Sequence, residues 1–404
     1  MIAKAAGLLD SKMNADVRAQ LVAAKTALET DATVPGIHAL SAAIEAANTS
    51  IDAYNTLKEA IDNAQTRYED NEATSKTSET AKGLYNAAMT TAQGIYDNGT
   101  ATDAEIPAAI KDLNGGVTKY VINDIIKDAS TQNPADITKV IANSDFATMS
   151  STGWDVIDGT MGFQSGNSVE AGEFYNCTFN LQQTLVGLPA GMYRLTTQAF
   201  YRYGNNPSAK VDDSDQLKYD VNENAYLYFS DKEIPTEDGK KVATELPENK
   251  QAIKTITAHK IAEDTWNSVG LSDAGGLKKM DDGLYIPDNM VTAQAFFRSD
   301  AGSAYDSEPL NFTYNGSSDF RIGLIKNVKN DATSGDWTIV KNFKLYYLGG
   351  DPTGISEIVT DANAVATKIY NASGMQIGKL QKGINIIETV MKDGSKKVKK
   401  VVVK

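Results

Sequence analysis

The stretch GEFYNCTFNLQQTLVGLPAGMYRLTTQAFYRYG, Gly172 to Gly204, decides the fold. Cys177, Phe179, Leu181 and Leu185 fall on one face at period two, as do Tyr193, Leu195, Ala199 and Tyr201, the spacing of strands that bury one side. Between them, Leu188-Pro189-Ala190-Gly191 supplies a turn: proline fixes φ at its second position and glycine relaxes the exit. The pattern predicts a hairpin with one apolar face. Such a face needs a second sheet to cover it, so a β-sandwich is the expected core. Cys177 is the only cysteine, which excludes an internal disulfide, and its inward strand position predicts a small buried thiol.

A chain of 404 residues exceeds what one hydrophobic core usually serves, and two or three domains are expected. Apolar residues make up 41% and charged residues 23%, the balance of an ordinary soluble protein. The net charge of −13 argues against nucleic acid or an anionic membrane as a partner through bulk charge. No segment approaches the roughly 20 apolar residues of a membrane span, so no transmembrane segment is expected. Met1-Ile2-Ala3-Lys4 does not open as a signal peptide does, and the sequence reads as a mature or trimmed form.

Outward from the organising stretch, the N-terminal part is helical. Val17, Leu21, Ala24 and Leu28 recur three or four apart, as do Leu40, Ala43, Ile44 and Ala47. Pro35-Gly36 breaks the first pair, and Asn48-Thr49-Ser50 offers capping oxygens for a third helix through Tyr54, Leu57, Ile61 and Ala64. A second round follows at a shift of roughly 65 residues, Leu84 to Ile95 answering Leu21 to Leu28 and Ile106 to Ile110 answering Ala39 to Ile44. A helical bundle over residues 1–130 would bury these faces. The pattern, with its Thr102-Asp103-Ala104-Glu105-Ile106 helix start, resembles the FIVAR-type helical repeats of bacterial surface proteins and carbohydrate-active enzymes, and the resemblance implies a spacer. His38, in an apolar helix start, reads as a packed or exposed residue and not a ligand.

Asn133-Pro134 stops the helices, and Asp136 to Ile141 reads as a first strand. Asn143-Ser144-Asp145-Phe146 with Gly153-Trp154, then Glu173-Phe174-Tyr175-Asn176, Leu188 to Tyr193 and Gln198 to Arg202, resemble a galactose-binding-like jelly-roll. Such domains are common in surface proteins and glycan-degrading enzymes of Bacteroides-type bacteria and are similar in fold to many carbohydrate-binding modules. The return half fits the same pattern: Tyr226-Leu227-Tyr228, the proline-led helix after Tyr285-Ile286-Pro287, and alternation in Phe320 to Leu324 and Trp337 to Tyr347. The family carries Asp before its closing Asn-Phe; Lys341 stands here. The sandwich is expected over residues 135–350, with a long insertion at about 204–284 that is polar and loop-like. Asp212-Asp213-Ser214-Asp215 within it could supply calcium oxygens, although it lacks the glycine and terminal glutamate of a dedicated loop. Structural calcium is the one cofactor left open.

Enzyme signatures are scarce. The two histidines lie in different segments, and HExxH, CxxC, GxSxG and Walker patterns are missing. With 52 acids some pair always lies at glycosidase spacing, so composition does not decide a paired-carboxylate mechanism. The expectation is a protein that binds without catalysis. Sugar C–H faces pack on aromatic rings, and sugar hydroxyls demand polar partners. Trp154, Glu173, Tyr175, Arg202, Tyr203 and Asn205 would form such a carbohydrate site at one rim of the sandwich. The competing reading keeps Trp154 and Tyr201 in the core with Arg202 paired outside. Trp266 is expected in the insertion, and Trp337 packed at the head of the last strand.

After the linker Asp351-Pro352-Thr353-Gly354, residues 355–404 read as a small all-β domain. Ala366 to Tyr370 alternate, Ser373-Gly374 turns, and Lys382 to Ile387 and Lys397 to Val403 are strands joined at Lys392-Asp393-Gly394. The order Ile369-Tyr370-Asn371, Gly374, Lys382 to Ile386 and the terminal Lys-Val repeats resembles the C-terminal sorting domain of type IX secreted proteins. That implies an extracellular or outer-membrane surface location. The sequence therefore points to a multidomain α and β protein: helical bundle, antiparallel β-sandwich jelly-roll and small C-terminal β-sandwich. Its expected role is glycan binding at the cell surface; the alternatives are an adhesin or scaffold for protein partners, or an accessory module of a glycoside hydrolase system.

Overall fold

A computed structural model describes residues 1–203, 210–211, 217–218, 225–236, 241–328, 335–350, 364–371, 373–377, 383–391 and 396–403. The chain is mixed α and β and divides into two compact units, residues 1–127 with 186–188, and residues 128–185 with 189–404.

The first unit contains α1 (Ile2–Leu8), α2 (Ala15–Thr30), α3 (Val34–Thr74), α4 (Glu79–Asn98) and α5 (Ile106–Ile122). Asn14 caps α2 by accepting the Asp16 and Val17 N–H groups, and Pro35 sits in the first turn of α3, where its missing N–H costs nothing. Helix α3 is one rod of 41 residues, so Asn48-Thr49-Ser50 caps no third helix. The Thr49 hydroxyl donates back to the Glu45 carbonyl at 3.2 Å, and Ser50, fully buried, accepts the Asn14 N–H at 2.9 Å. Thr49 is satisfied within the helix and Ser50 by the cap residue of α2, which removes the reason to break α3. Leu21, Leu28, Leu40, Ile44 and Ala47 form the core of the first round. In the second, the rings of Tyr68, Tyr85 and Tyr120 lie 4.3–5.6 Å apart. Helix α5 begins at Ile106, and in the turn that leads into it Glu105 accepts from both the N–H and the hydroxyl of Thr102. His38 is exposed.

The second unit runs through β1 (Ala135–Asp136), β2 (Asp155–Asp158), β3 (Gly172–Tyr175), β4 (Phe179–Leu185), β5 (Gly191–Arg202), β6 (Lys210–Val211), β7 (Leu217–Lys218), β8 (Tyr226–Ser230), β9 (Asn249–Ala252), β10 (Lys254–Thr255), β11 (Leu277–Lys279), β12 (Tyr285–Pro287), α6 (Met290–Arg298), β13 (Leu310–Tyr314), β14 (Phe320–Lys326) and β15 (Trp337–Tyr347), and then β16 (Ala364–Asn371), β17 (Gln376–Ile377), β18 (Gly383–Met391) and β19 (Lys396–Val403). One sheet has the order β1-β15-β5-β10, with β3 also on β15 and β13 also on β5; a second has the order β2-β4-β14-β8-β9. All these pairs are antiparallel except β10 with β5.

The organising stretch alternates as read but is not a hairpin. Strand β4 pairs with β2 and β14, whereas β5 pairs with β15, β13 and β10, so the turn at Pro189 carries the chain between sheets. Period-two alternation fixes which side of a strand is inward, not which neighbour it pairs with. Both strands contribute to one seam: Phe174 stacks on Phe179 at 4.2 Å, Phe229 on Phe312 at 4.0 Å, and Tyr193 meets Phe320 edge-on at 5.0 Å. Cys177 lies in the bend between β3 and β4, half-buried, and not in a strand. The expected strand over 136–141 also shortens, because the Asp136 carboxylate accepts the Thr138 N–H at 2.9 Å and turns the chain into a short 3₁₀ segment, Thr138–Val140.

Residues 253–305 contribute a layer over the outer side of the first sheet, so the part of the expected insertion from 253 to 284 is packed and not loose loop, and the expected proline-led helix follows as α6. Phe200, Trp337 and Ile339 point outward and are buried by Ile286, Met290, Ala293, Phe296 and Tyr305. Helix α6 is held by a reciprocal cap between Asn289 and Thr292. Trp266 is half-buried, edge-on to Tyr285 at 4.7 Å. The C-terminal strands form a separate sheet of order β17-β16-β18-β19. Its Ser373-Gly374 turn is tied by the Asn371 side chain, and Lys392-Asp393-Gly394 lies outside the described residues.

Candidate functional site

At one end of the first sheet, β3, β15 and β5 lie side by side, so Tyr175, Trp337 and Arg202 stand directly opposite one another across three strands. Residues in such a row share a face. Arg202 is 4% exposed. One terminal nitrogen donates to Asp288 Oδ1 at 2.5 Å and the other to the Gly335 carbonyl at 3.2 Å; the guanidinium carbon lies 5.0 Å from the centre of the Trp337 ring. Its Nε is buried and meets no acceptor among the described residues. The Trp337 indole N–H donates to Glu173 Oε2 at 2.8 Å. The result is a continuous chain, Glu173–Trp337–Arg202–Asp288, with a carboxylate at each end and a cation stacked on an aromatic ring between them.

The backbone fixes each member. Glu173 is anchored on its free edge by paired hydrogen bonds with Gly162, at 2.8 and 3.0 Å. Asp288 is set by its N–H to the Gly276 carbonyl at the junction of β12 and α6, and its side chain keeps 41% exposure. Residues 335–336 are tied in by the Asn176 N–H on the Asp336 carbonyl, at 2.7 Å, and by a buried ion pair between Lys326 and Asp336, at 2.8 Å. Lys326 also donates to the Cys177 carbonyl at 3.2 Å.

Of the residues expected at the rim, Glu173, Tyr175 and Arg202 are brought together, and Tyr175 is the exposed one, at 52%. Tyr203 follows directly where β5 ends and is half-buried. Asn205 lies outside the described residues. Trp154 is not part of the row. It is buried against Phe343 at 4.5 Å and Phe146 at 5.7 Å, its N–H on the Asn143 carbonyl at 3.3 Å. Phe343 lies roughly 20 Å along β15 from Trp337 at strand rise. Arg202 is likewise no open rim residue, because the layer over 253–305 covers it and Asp288 neutralises it. Asp288 carried no signal in the sequence, since its place depends on the fold of that layer. Trp337 was legible as packed but not as the hub.

Lys341, standing where the resemblance leads one to expect Asp, lies at a bulge and reaches Glu170 Oε2 at 3.2 Å, with Asn342 at φ 55° donating to Gln198 at 2.9 Å. The Arg298 and Lys341 cations hold the Glu170 carboxyl below its ordinary range. Among the described residues no group of three or more His, Cys, Asp or Glu side chains is placed to hold a metal, and Asp212-Asp213-Ser214-Asp215 lies outside them. A separate open cavity of about 360 Å³ lies in the connection from β8 to β9, lined by Phe229, Lys232, Glu233, Glu245, Leu246 and Asn249. Its size is that of a small-molecule site, and it contains none of the expected residues. Among the described residues no helix is long and apolar enough to cross a membrane.

Comparison of the chain with family models, with curated proteins and with solved structures returns no match.

Proposed function

We propose that this is a non-catalytic glycan-binding protein of the cell surface or extracellular space. The two-sheet unit, read as a galactose-binding-like jelly-roll, contacts carbohydrate, the helical unit acts as a spacer, and the C-terminal sheet serves as a sorting-like domain. The observation that carries the reading is the exposed Tyr175 ring beside the rigid Glu173–Trp337–Arg202–Asp288 chain. An exposed aromatic face accepts a sugar C–H face, and the partly exposed Asp288 carboxylate accepts sugar hydroxyls. Arg202 then positions Asp288 and Trp337 instead of touching sugar itself.

A glycan array probed with wild type, Tyr175→Ala and Glu245→Ala tests this. The expected result is selective binding by wild type and Glu245→Ala, lost in Tyr175→Ala. Loss in Glu245→Ala alone moves the site to the cavity between β8 and β9, and no binding by any of the three removes the glycan reading.

A further inference from the structure

The net charge of −13 is unevenly spread. Residues 364–404 contain nine lysines against Glu388 and Asp393, a net of +7, which leaves −20 on residues 1–363. Bulk charge argues against an anionic partner; local charge at the C-terminal sheet argues for one.

The pairing places five of those lysines, Lys368 on β16 and Lys396, Lys397, Lys399 and Lys400 on β19. Lys368, Glu388 and Val398 form one row across β16, β18 and β19, and Tyr370, Ile386 and Lys400 form the next. These residues share a face, together with Lys396 and Ile384 two positions along their strands. On that face Lys368 and Lys400 are exposed, Val398 is 66% and Ile384 41% exposed, and Lys396 reaches Glu388 at 3.3 Å while remaining largely open. The opposite face holds Asn385 and Ile387, both buried. Asn385 and Ile387 of the central strand are thus covered on one side, whose rows also hold Lys397 and Lys399, and on the other side apolar residues stand among lysines. That mixture is the β counterpart of a basic amphipathic helix, with apolar groups for the acyl boundary and cations on flexible stems for phosphates.

We propose that this face docks on an anionic phospholipid bilayer, Lys368, Lys396 and Lys400 meeting headgroup phosphates while Ile384 and Val398 enter the interface. The −20 carried by the rest of the chain is repelled by the same surface, which orients the sheet toward the lipid and the remainder outward. An acidic protein surface, such as a second copy of this chain, would satisfy the lysines but leave Val398 and Ile384 without an apolar phase.

Co-sedimentation of the full chain with vesicles tests the assignment. Binding is expected to vesicles of equimolar phosphatidylcholine and phosphatidylglycerol and not to phosphatidylcholine alone. It should weaken steeply as salt shortens the screening length from about 30 Å to about 8 Å. Lys368→Gln combined with Lys400→Gln should weaken it about thirty-fold, and Val398→Ser should weaken it at high salt as well as low, both with unchanged melting temperature. Four outcomes overturn the proposal: no binding to the mixed vesicles at low salt, undiminished binding in both variants, equal affinity for soluble heparin, or salt-sensitive self-association that accounts for the sedimentation without lipid. The vesicle and salt comparisons use wild-type protein, so the test stands even where a variant fails to fold.

Discussion

Replacing Arg202 by alanine separates a positioning role from a contacting one. The sequence alone predicts that this change weakens glycan binding without altering thermal stability; its burial predicts the reverse order of effects. The guanidinium donates to Asp288 and Gly335, each such charged bond contributing about 1.5–3 kcal/mol. Stacking on Trp337 adds about 1 kcal/mol, and the two methylenes lost beyond Cβ add about 1.6 kcal/mol. Two effects offset this. The Asp288 side chain, 41% exposed, is resolvated when its partner goes, which puts the cost below that of breaking a fully buried pair. The buried Nε, which has no acceptor among the described residues, is a penalty of about 1–3 kcal/mol that the substitution relieves. The net is a destabilisation of about 3 kcal/mol, a fall in melting temperature of roughly 6–12 °C for a unit of this size. Differential scanning calorimetry reads it directly, with Arg202→Lys expected between wild type and Arg202→Ala because lysine keeps the charge near Asp288 but loses the fork and the stack. An unchanged melting temperature in Arg202→Ala refutes the embedded role, and normal stability with abolished glycan binding assigns Arg202 to the ligand instead.

Tyr175→Ala should leave the melting temperature within the scatter of a surface change, about 0.5 kcal/mol, while removing array binding. Lys326→Met should destabilise by about 3–5 kcal/mol, since it removes the cation 2.8 Å from a carboxylate only 6% exposed; urea midpoints measure it, and Lys326→Met with Asp336→Leu should recover part of the loss. Gly323→Ala should cost several kcal/mol, because a Cβ there would stand 2.0 Å from the Leu181 carbonyl, and a soluble variant of near-normal stability would show that β14 and β4 do not pair in this register. Burial against Phe296 lowers the His259 pKa below its ordinary 6.5. A depressed histidine stabilises above its unfolded pKa and loses that contribution as pH falls through the folded value. Melting temperature should therefore decline below about pH 6.5, and His259→Gln should flatten that part of the profile.

Much of the architecture could be read from residues because period-two alternation and helical spacing are local properties. Tyr193, Leu195, Ala199 and Tyr201 are all buried on the side that alternation assigns them. Pairing is not local. Nothing within Gly172 to Gly204 distinguishes two strands of one hairpin from two strands facing each other across a core, and the structure takes the second arrangement. The long helix α3 shows the same limit. Asn48-Thr49-Ser50 has cap chemistry, and only the approach of Asn14 to Ser50 and the back-bond of Thr49 turn those oxygens inward.

The candidate site shows why residue type at a strand end is a weaker guide than residue type in a row. Glu173, Tyr175 and Arg202 were selected because acid, aromatic and base leave strands near one lip, and they do share a face. Trp154 was selected on the same chemistry and lies elsewhere, since its partners Phe146 and Phe343 are supplied by distant segments. What converts the row into a rigid platform is Asp288, placed by a capped helix more than eighty residues beyond Arg202. That covering layer also changes the role of Arg202. A guanidinium at an open strand end would reach toward ligand, whereas one that is buried and paired with a carboxylate holds an aromatic ring and an acid in place. On the proposed glycan-binding reading the contacting groups are Tyr175 and Asp288, of which the arginine orients Asp288, and a ligand that required the guanidinium itself would first have to displace that carboxylate.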